Sequence, residues 1–217
     1  MINTSMKVGK VRAIELRATL SLVIITTLLA GCASWITGPS HPQTLYVFGA
    51  NNCDSKIEAR HGAPSLLIGP PKGSAFLYST RIIFSREPQT RGSYQYAFWT
   101  DAPPDRLAIN LEQELDCRGT FSKVSRNSFP ADYILRFEVI DFRHDISQSP
   151  GEISVELNAE LINAHNGALL AKQHFVNRTP APSFDATGAV DGLNTAGKKV
   201  VSELAEWLTN TVKDKKA

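Results

Sequence analysis

The sequence predicts an α+β domain, with a mainly antiparallel sheet and two amphipathic helices packed on one face as a two-layer sandwich. Three observations point there. First, two long segments alternate with period two. In "DYILRFEVIDF", Tyr133, Leu135, Phe137 and Val139 alternate with Arg136 and Glu138; in "EISVELNAELI", Ile153, Val155, Leu157, Ala159 and Leu161 alternate with Ser154, Glu156, Asn158 and Glu160. One face of such strands is core and the other solvated. Second, two segments have helical spacing instead: Leu107, Leu111 and Leu115, then Leu193, Gly197, Val200, Val201, Leu204, Leu208 and Val212. Third, turn-rich joints between strand-like runs read as hairpins, which make neighbouring strands antiparallel.

The chain opens on Lys7, Lys10, Arg12 and Arg17, followed by the uncharged run "ATLSLVIITTLL" over 18–29. Twelve apolar residues fall short of the roughly 20 a spanning helix needs and fit the core of an export signal. The run closes on Leu29-Ala30-Gly31-Cys32, which resembles the bacterial lipobox, where cleavage precedes the cysteine and the thiol takes a diacylglycerol. Residues 1–31 then read as a signal peptide, 32–43 as the lipidated N-terminus and tether, and 44–217 as one domain. Two or more acyl chains anchor stably where one does not. Removing the leader's four basic residues and one acid from 23 and 21 leaves 19 and 20. That balance does not favour a nucleic-acid partner. Two further cysteines, Cys53 and Cys117, would meet disulfide-permissive conditions after export, so they are a disulfide candidate.

"TLYVF" (44–48) reads as a first strand and residues 49–65 as a polar loop. "LLIGPP" is a short strand, and "STRIIFS" with "SYQYAFW" a hairpin. Pro103, Pro104 and Asp105 suit a first helical turn, with Gly119 as the C-terminal cap. Asn110, Glu112, Gln113 and Asp116 make that helix's polar face. "FSKVSR" is a brief strand, Asn166-Gly167 a tight turn, and "LLAKQHFVN" the strand returning from it. The last helix ends among Lys213, Lys215 and Lys216.

Chemistry is sparse. There is no G-x-S-x-G, Walker loop, C-x-x-C or H-E-x-x-H. The best titratable cluster, Asp141, His144 and Asp145, reads as a solvated turn, as do Glu58 and His61. Trp99 and Trp207 read as core. The expectation is no enzyme, no cofactor beyond covalent lipid on Cys32, and no metal. Ile140, Phe142 and Ile162 stand outside the alternation, and Phe142 and Ile162 would fall on the polar face. That makes these two the candidate partner contact.

In order, the lipobox, "LYVF", "LLIGPP", "RIIF", "YQYAFWTDAPPDRLAINLEQEL", "GTFSKV", the alternating strands and the closing "ELAEWL" resemble the ABC-type transport auxiliary lipoproteins of the PqiC-like kind, over roughly residues 44–210. The resemblance implies a non-catalytic component of an MCE-type ABC lipid-transport system that docks or scaffolds the transporter. Its implied partners are an MCE-domain protein and the ABC permease and ATPase, with a role in membrane integrity. It leaves a homo-oligomer open. Ala33 stands where aspartate commonly retains lipoproteins in the inner membrane, so the expected address is the outer membrane, facing the periplasm. Residues 49–65 are longer and more polar than that family's pattern, and "PPKGSAFLYS" replaces its usual proline and tyrosine. The alternative function is a lipoprotein carrying lipid in its own apolar cavity.

Overall fold

Strand β7 (Tyr133–Asp145) organises the domain. The computed structural model describes residues 41–49, 57–59, 61–149 and 151–214. The order is β1 (Thr44–Tyr46), β2 (Ser65–Ile68), β3 (Lys72–Gly73), β4 (Arg81–Ser85), β5 (Gly92–Trp99), α1 (Pro103–Arg118), β6 (Lys123–Ser125), β7, β8 (Glu152–Asn163), β9 (Leu169–Pro180) and α2 (Ala186–Asp214). The described residues from 43 to 214 form one compact unit.

The helices form where their sequence signals place them. Pro103 and Pro104 open α1, and Gly119 closes it in the left-handed region at φ 59°. Leu107, Ala108, Leu111 and Leu115 are buried. Asp185 caps α2, its carboxylate accepting the Gly188 N–H at 2.9 Å. The last two turns of α2 bury Leu208 and Val212.

Among the described residues the strands form one nine-stranded sheet. β7 pairs antiparallel with β8 along its whole length, and β8 antiparallel with β9. Its other edge is taken in succession by β2, β3 and β4, all parallel to it. β6 runs parallel to β2 and β1 parallel to β5, while β4 and β5 form the expected hairpin. The α+β class holds, but the sheet is mixed rather than mainly antiparallel. Alternation reports which face a strand buries, not the direction of its neighbour. Here β7's second neighbour is drawn from residues 66–85, reached only by way of β5, α1 and β6.

A bulge in β7 corrects the reading of Phe142. Register with β8 shifts between Val139 and Asp141. The extra residue, Ile140, is turned outward and exposed, and the parity of the strand reverses beyond it. Phe142 thereby joins the core face. It is 1% exposed, with ring centroids 5.2 Å from Phe48 and 6.2 Å from Trp99. Ile162 stays on the face opposite Leu161, paired with Ile134. It is nonetheless buried, only 7% exposed. Neither residue is the exposed contact the uninterrupted alternation implied.

Both helices share the core with one face of the sheet. The segment after β1 is fastened between them. Phe48 is buried, and the Gly49 N–H donates to Asn194 Oδ1 on α2 at 2.6 Å. Asn110 on α1 donates to the Gly49 carbonyl at 2.9 Å, and Arg106 to the Phe48 carbonyl at 3.0 Å. Asn110 is thus buried, not part of α1's solvated face. The Phe48 ring lies so close to α2 that a Cβ on Gly197 would sit 2.3 Å from it. The other face of the sheet carries ion pairs, Lys172 with Glu160 at 3.0 Å and Arg178 with Glu156 at 3.7 Å, and His174 Nε2 lies 2.9 Å from Glu156. Exposed pairs of this kind contribute about 0–1 kcal/mol each.

Candidate functional site

Cys32, the expected lipidation residue, and Cys53 lie outside the described residues. Cys117, the other half of the expected disulfide, sits near the end of α1. Its carbonyl accepts the Ile57 N–H at 3.1 Å, which brings residue 57 against the helix end.

The titratable cluster predicted at 141–145 is assembled on the last turn of β7's pairing, but as a structural knot. His144 is fully buried, with Nδ1 2.9 Å from the Tyr94 hydroxyl. Burial, then the nearby Asp185 carboxylate, pushes the Tyr94 phenol up to about 12, so it stays protonated at neutral pH. Gly151 closes over the imidazole at φ 94°, where any Cβ would lie 2.4 Å from Nε2. Phe184 meets the ring edge-on at 6.2 Å. Asp141 is held by Arg143, whose guanidinium also reaches Asp145 at 3.6 Å and Ser85 Oγ at 3.1 Å. Burial opposes ionisation of Asp145, but hydrogen bonds from Ser147 hold its carboxyl below the usual range. The bulge that buries Phe142 also buries His144, so the expected solvated turn is a packed strand end. Sequence reasoning missed Tyr94 and Arg143, the two residues that fasten it. Among the described residues no three His, Cys, Asp or Glu are grouped to hold a metal.

Glu58 and His61 line a cleft of about 610 Å³ between the 57–64 segment, the end of α1 and the end of α2. Ile57, Pro64 and Val212 give it apolar walls, and Arg118 and Lys213 give it positive charge. The volume lies within the range of small-molecule sites. Arg118 is committed to Glu114 at 2.8 Å and to Ser202 Oγ at 2.9 Å, tying α1 to α2. Thr120 and Thr209, 2.9 Å apart, close the base. Trp99 is core as expected, while Trp207 is half-buried, packs against the core and meets Phe175 edge-on at 6.0 Å. Among the described residues no helix is long and apolar enough to cross a membrane.

Comparison with known proteins gives this arrangement a context. The family model for the ABC-type transport auxiliary lipoprotein component matches residues 46–205. A crystal structure from Xanthomonas campestris, described under family model DUF330, superposes with TM-score 0.69 at 24% identity, covering 80% of this chain and 98% of that one. An uncharacterized protein superposes with TM-score 0.61 at 12% identity, over 77% and 99%. These two likenesses speak to the fold. The PelC dodecamer from Paraburkholderia phytofirmans, at TM-score 0.40 and 17% identity over 68% and 92%, is too distant in shape to carry an argument. No curated protein matches the sequence.

Proposed function

Because the chain belongs to the family of ABC-type transport auxiliary lipoprotein components, we propose that it is the non-catalytic, outer-membrane member of an MCE-type lipid-transport system, anchored through acylated Cys32. In this reading it docks the transporter in the periplasm, with an MCE-domain protein and the ABC permease and ATPase as partners. The family match supports an auxiliary role, and the 141–145 cluster supports a non-catalytic one. There, each side chain that could act on a substrate is either buried or held in hydrogen bonds to its neighbours. The outer-membrane address rests on Ala33 following the cysteine.

A self-contained lipid carrier would need an apolar cavity between sheet and helices. The described residues there, Phe48, Leu111, Phe142, Leu157, Val200 and Leu204, are packed as one core. Docking is therefore the better-supported role. Co-purification from solubilised envelope, with mass spectrometry of the captured proteins, tests it. Recovery of an MCE-domain protein and an ABC permease is expected. Recovery of neither, from membranes that contain both, overturns it.

A further inference from the structure

We propose that the outward face of β1 and β5, formed by Leu45, Tyr96 and Phe98 with Val47 just beyond β1, rests on the surface of the bilayer to which the chain is anchored; this builds on the anchor reading of Cys32 above. Pairing sets the patch. Leu45 lies opposite Phe98, and Tyr46 opposite Trp99. Trp99 is core, so Leu45 and Phe98 point away from it, and Tyr96, two residues before Phe98, shares their side. Leu45 is 65% exposed, Val47 57% and Tyr96 39%.

The occupant follows from where the chain leads. Thr44 lies twelve positions after Cys32. Fully extended, that stretch spans at most about 40 Å. A compact unit of this length has a radius of gyration of about 15–16 Å, and so is itself about 40 Å across. The domain is therefore confined to within about one diameter of the membrane, and β1 is the root of the confining segment. Under such tethering the bilayer is presented at an effective concentration on the order of millimolar, so a patch too small to recruit a free domain can still orient an anchored one. Its chemistry suits the interface. Tyr96 pairs an apolar ring with a polar tip, and the Arg81 guanidinium lies 5.8 Å from the Phe98 ring centroid, apolar surface with charge at its rim. The β4–β5 hairpin carries Arg81, Arg86 and Arg91 against the single acid Glu87, a balance that favours anionic headgroups. The exposed Leu169 and Val176 lie on β9, at the opposite margin of the sheet from β1.

The test uses the full-length protein, processed in bacterial cells and reconstituted into phosphatidylethanolamine–phosphatidylglycerol vesicles doped with a photoactivatable phospholipid. Cross-linked peptides are mapped by mass spectrometry. Label on residues 43–49 and 93–99 is expected at several-fold the level of the remaining surface. Leu45→Glu with Tyr96→Glu should remove most of it while the protein still floats with the vesicles. Label spread evenly, label concentrated on β9 or α2, or protein–protein cross-links through an unlabelled β1–β5 face would each overturn the inference and leave the anchor reading standing. If the wild-type protein fails to float, the anchor reading fails and the inference falls with it.

Discussion

The carboxylate of Asp132 accepts both the backbone N–H and the hydroxyl of Ser65, at 2.7 and 2.8 Å, and the Asp132 N–H donates back to Ser65 Oγ at 3.1 Å. The two residues are 67 positions apart, and each immediately precedes the first residue of the β2–β7 pairing, Leu66 and Tyr133. The clamp fixes where the early part of the chain begins to run parallel to β7. The Ser65 hydrogen bonds hold the Asp132 carboxyl below its ordinary value. A carboxyl depressed on folding adds stability above its unfolded pKa, about 3.9, and loses it as pH falls through the folded value.

Asp132→Ala is therefore expected to cost about 1 kcal/mol at pH 7. The gap between variant and wild type should close as pH falls below about 4. Denaturant midpoints measured from pH 7 to pH 2 check this. A gap that stays constant to pH 2 would show that the carboxylate charge plays no part.

Gly197→Ala places a Cβ 2.3 Å from the Phe48 ring. Alanine ordinarily improves a helix interior by up to about 1 kcal/mol over glycine. Overpacking costs about 1–3 kcal/mol, so net destabilisation is expected. Phe48→Leu in the same chain should recover part of the loss, which a double-mutant cycle in thermal unfolding would read as coupling.

Phe142→Ala is expected to cost about 3–5 kcal/mol, the range for a fully buried aromatic. Calorimetry gives the measure. A loss under 1 kcal/mol, accompanied by failed partner capture, would return Phe142 to a surface role.

A disulfide is expected between Cys117 and Cys53, four residues before the Ile57 that bonds to the Cys117 carbonyl. Closing 64 residues is worth about 4 kcal/mol in the chain-entropy model. Peptide mapping of unreduced periplasmic protein should recover the linked pair, and two free thiols in denaturant without reductant would refute it. Cys53→Ser should lower the thermal midpoint by several degrees.

The extent to which the sequence was legible depends on whether each signal was local. Pro103, Pro104 and Gly119 bounded α1 correctly, because caps act within a turn. The alternation in β7 is faithful up to Val139 and misleading beyond it, since no glycine or proline marks the bulge at Ile140. That single unannounced residue accounts for Phe142, His144 and Asp141 together. Asn110 read as polar surface because its partner, Gly49, lies 61 positions away. The parallel run of β2, β3 and β4 along β7 is likewise a long-range fact, and a two-residue strand such as Lys72–Gly73 carries no period to detect.

The fastening of Phe48 and Gly49 also decides how the domain bears load. A pull arriving along the chain at residue 43 meets β1 first, and three paired residues resist little. Tension then passes to the Phe48 ring, wedged against Gly197, and to the Gly49 peptide groups, gripped by one asparagine on each helix. Withdrawing that segment requires α1 and α2 to part, so force is shared across the helical layer instead of peeling strands from the sheet margin one at a time. Once β1 is drawn off, the Phe48–Gly49 grip behind it thus gives way only together with the helical layer.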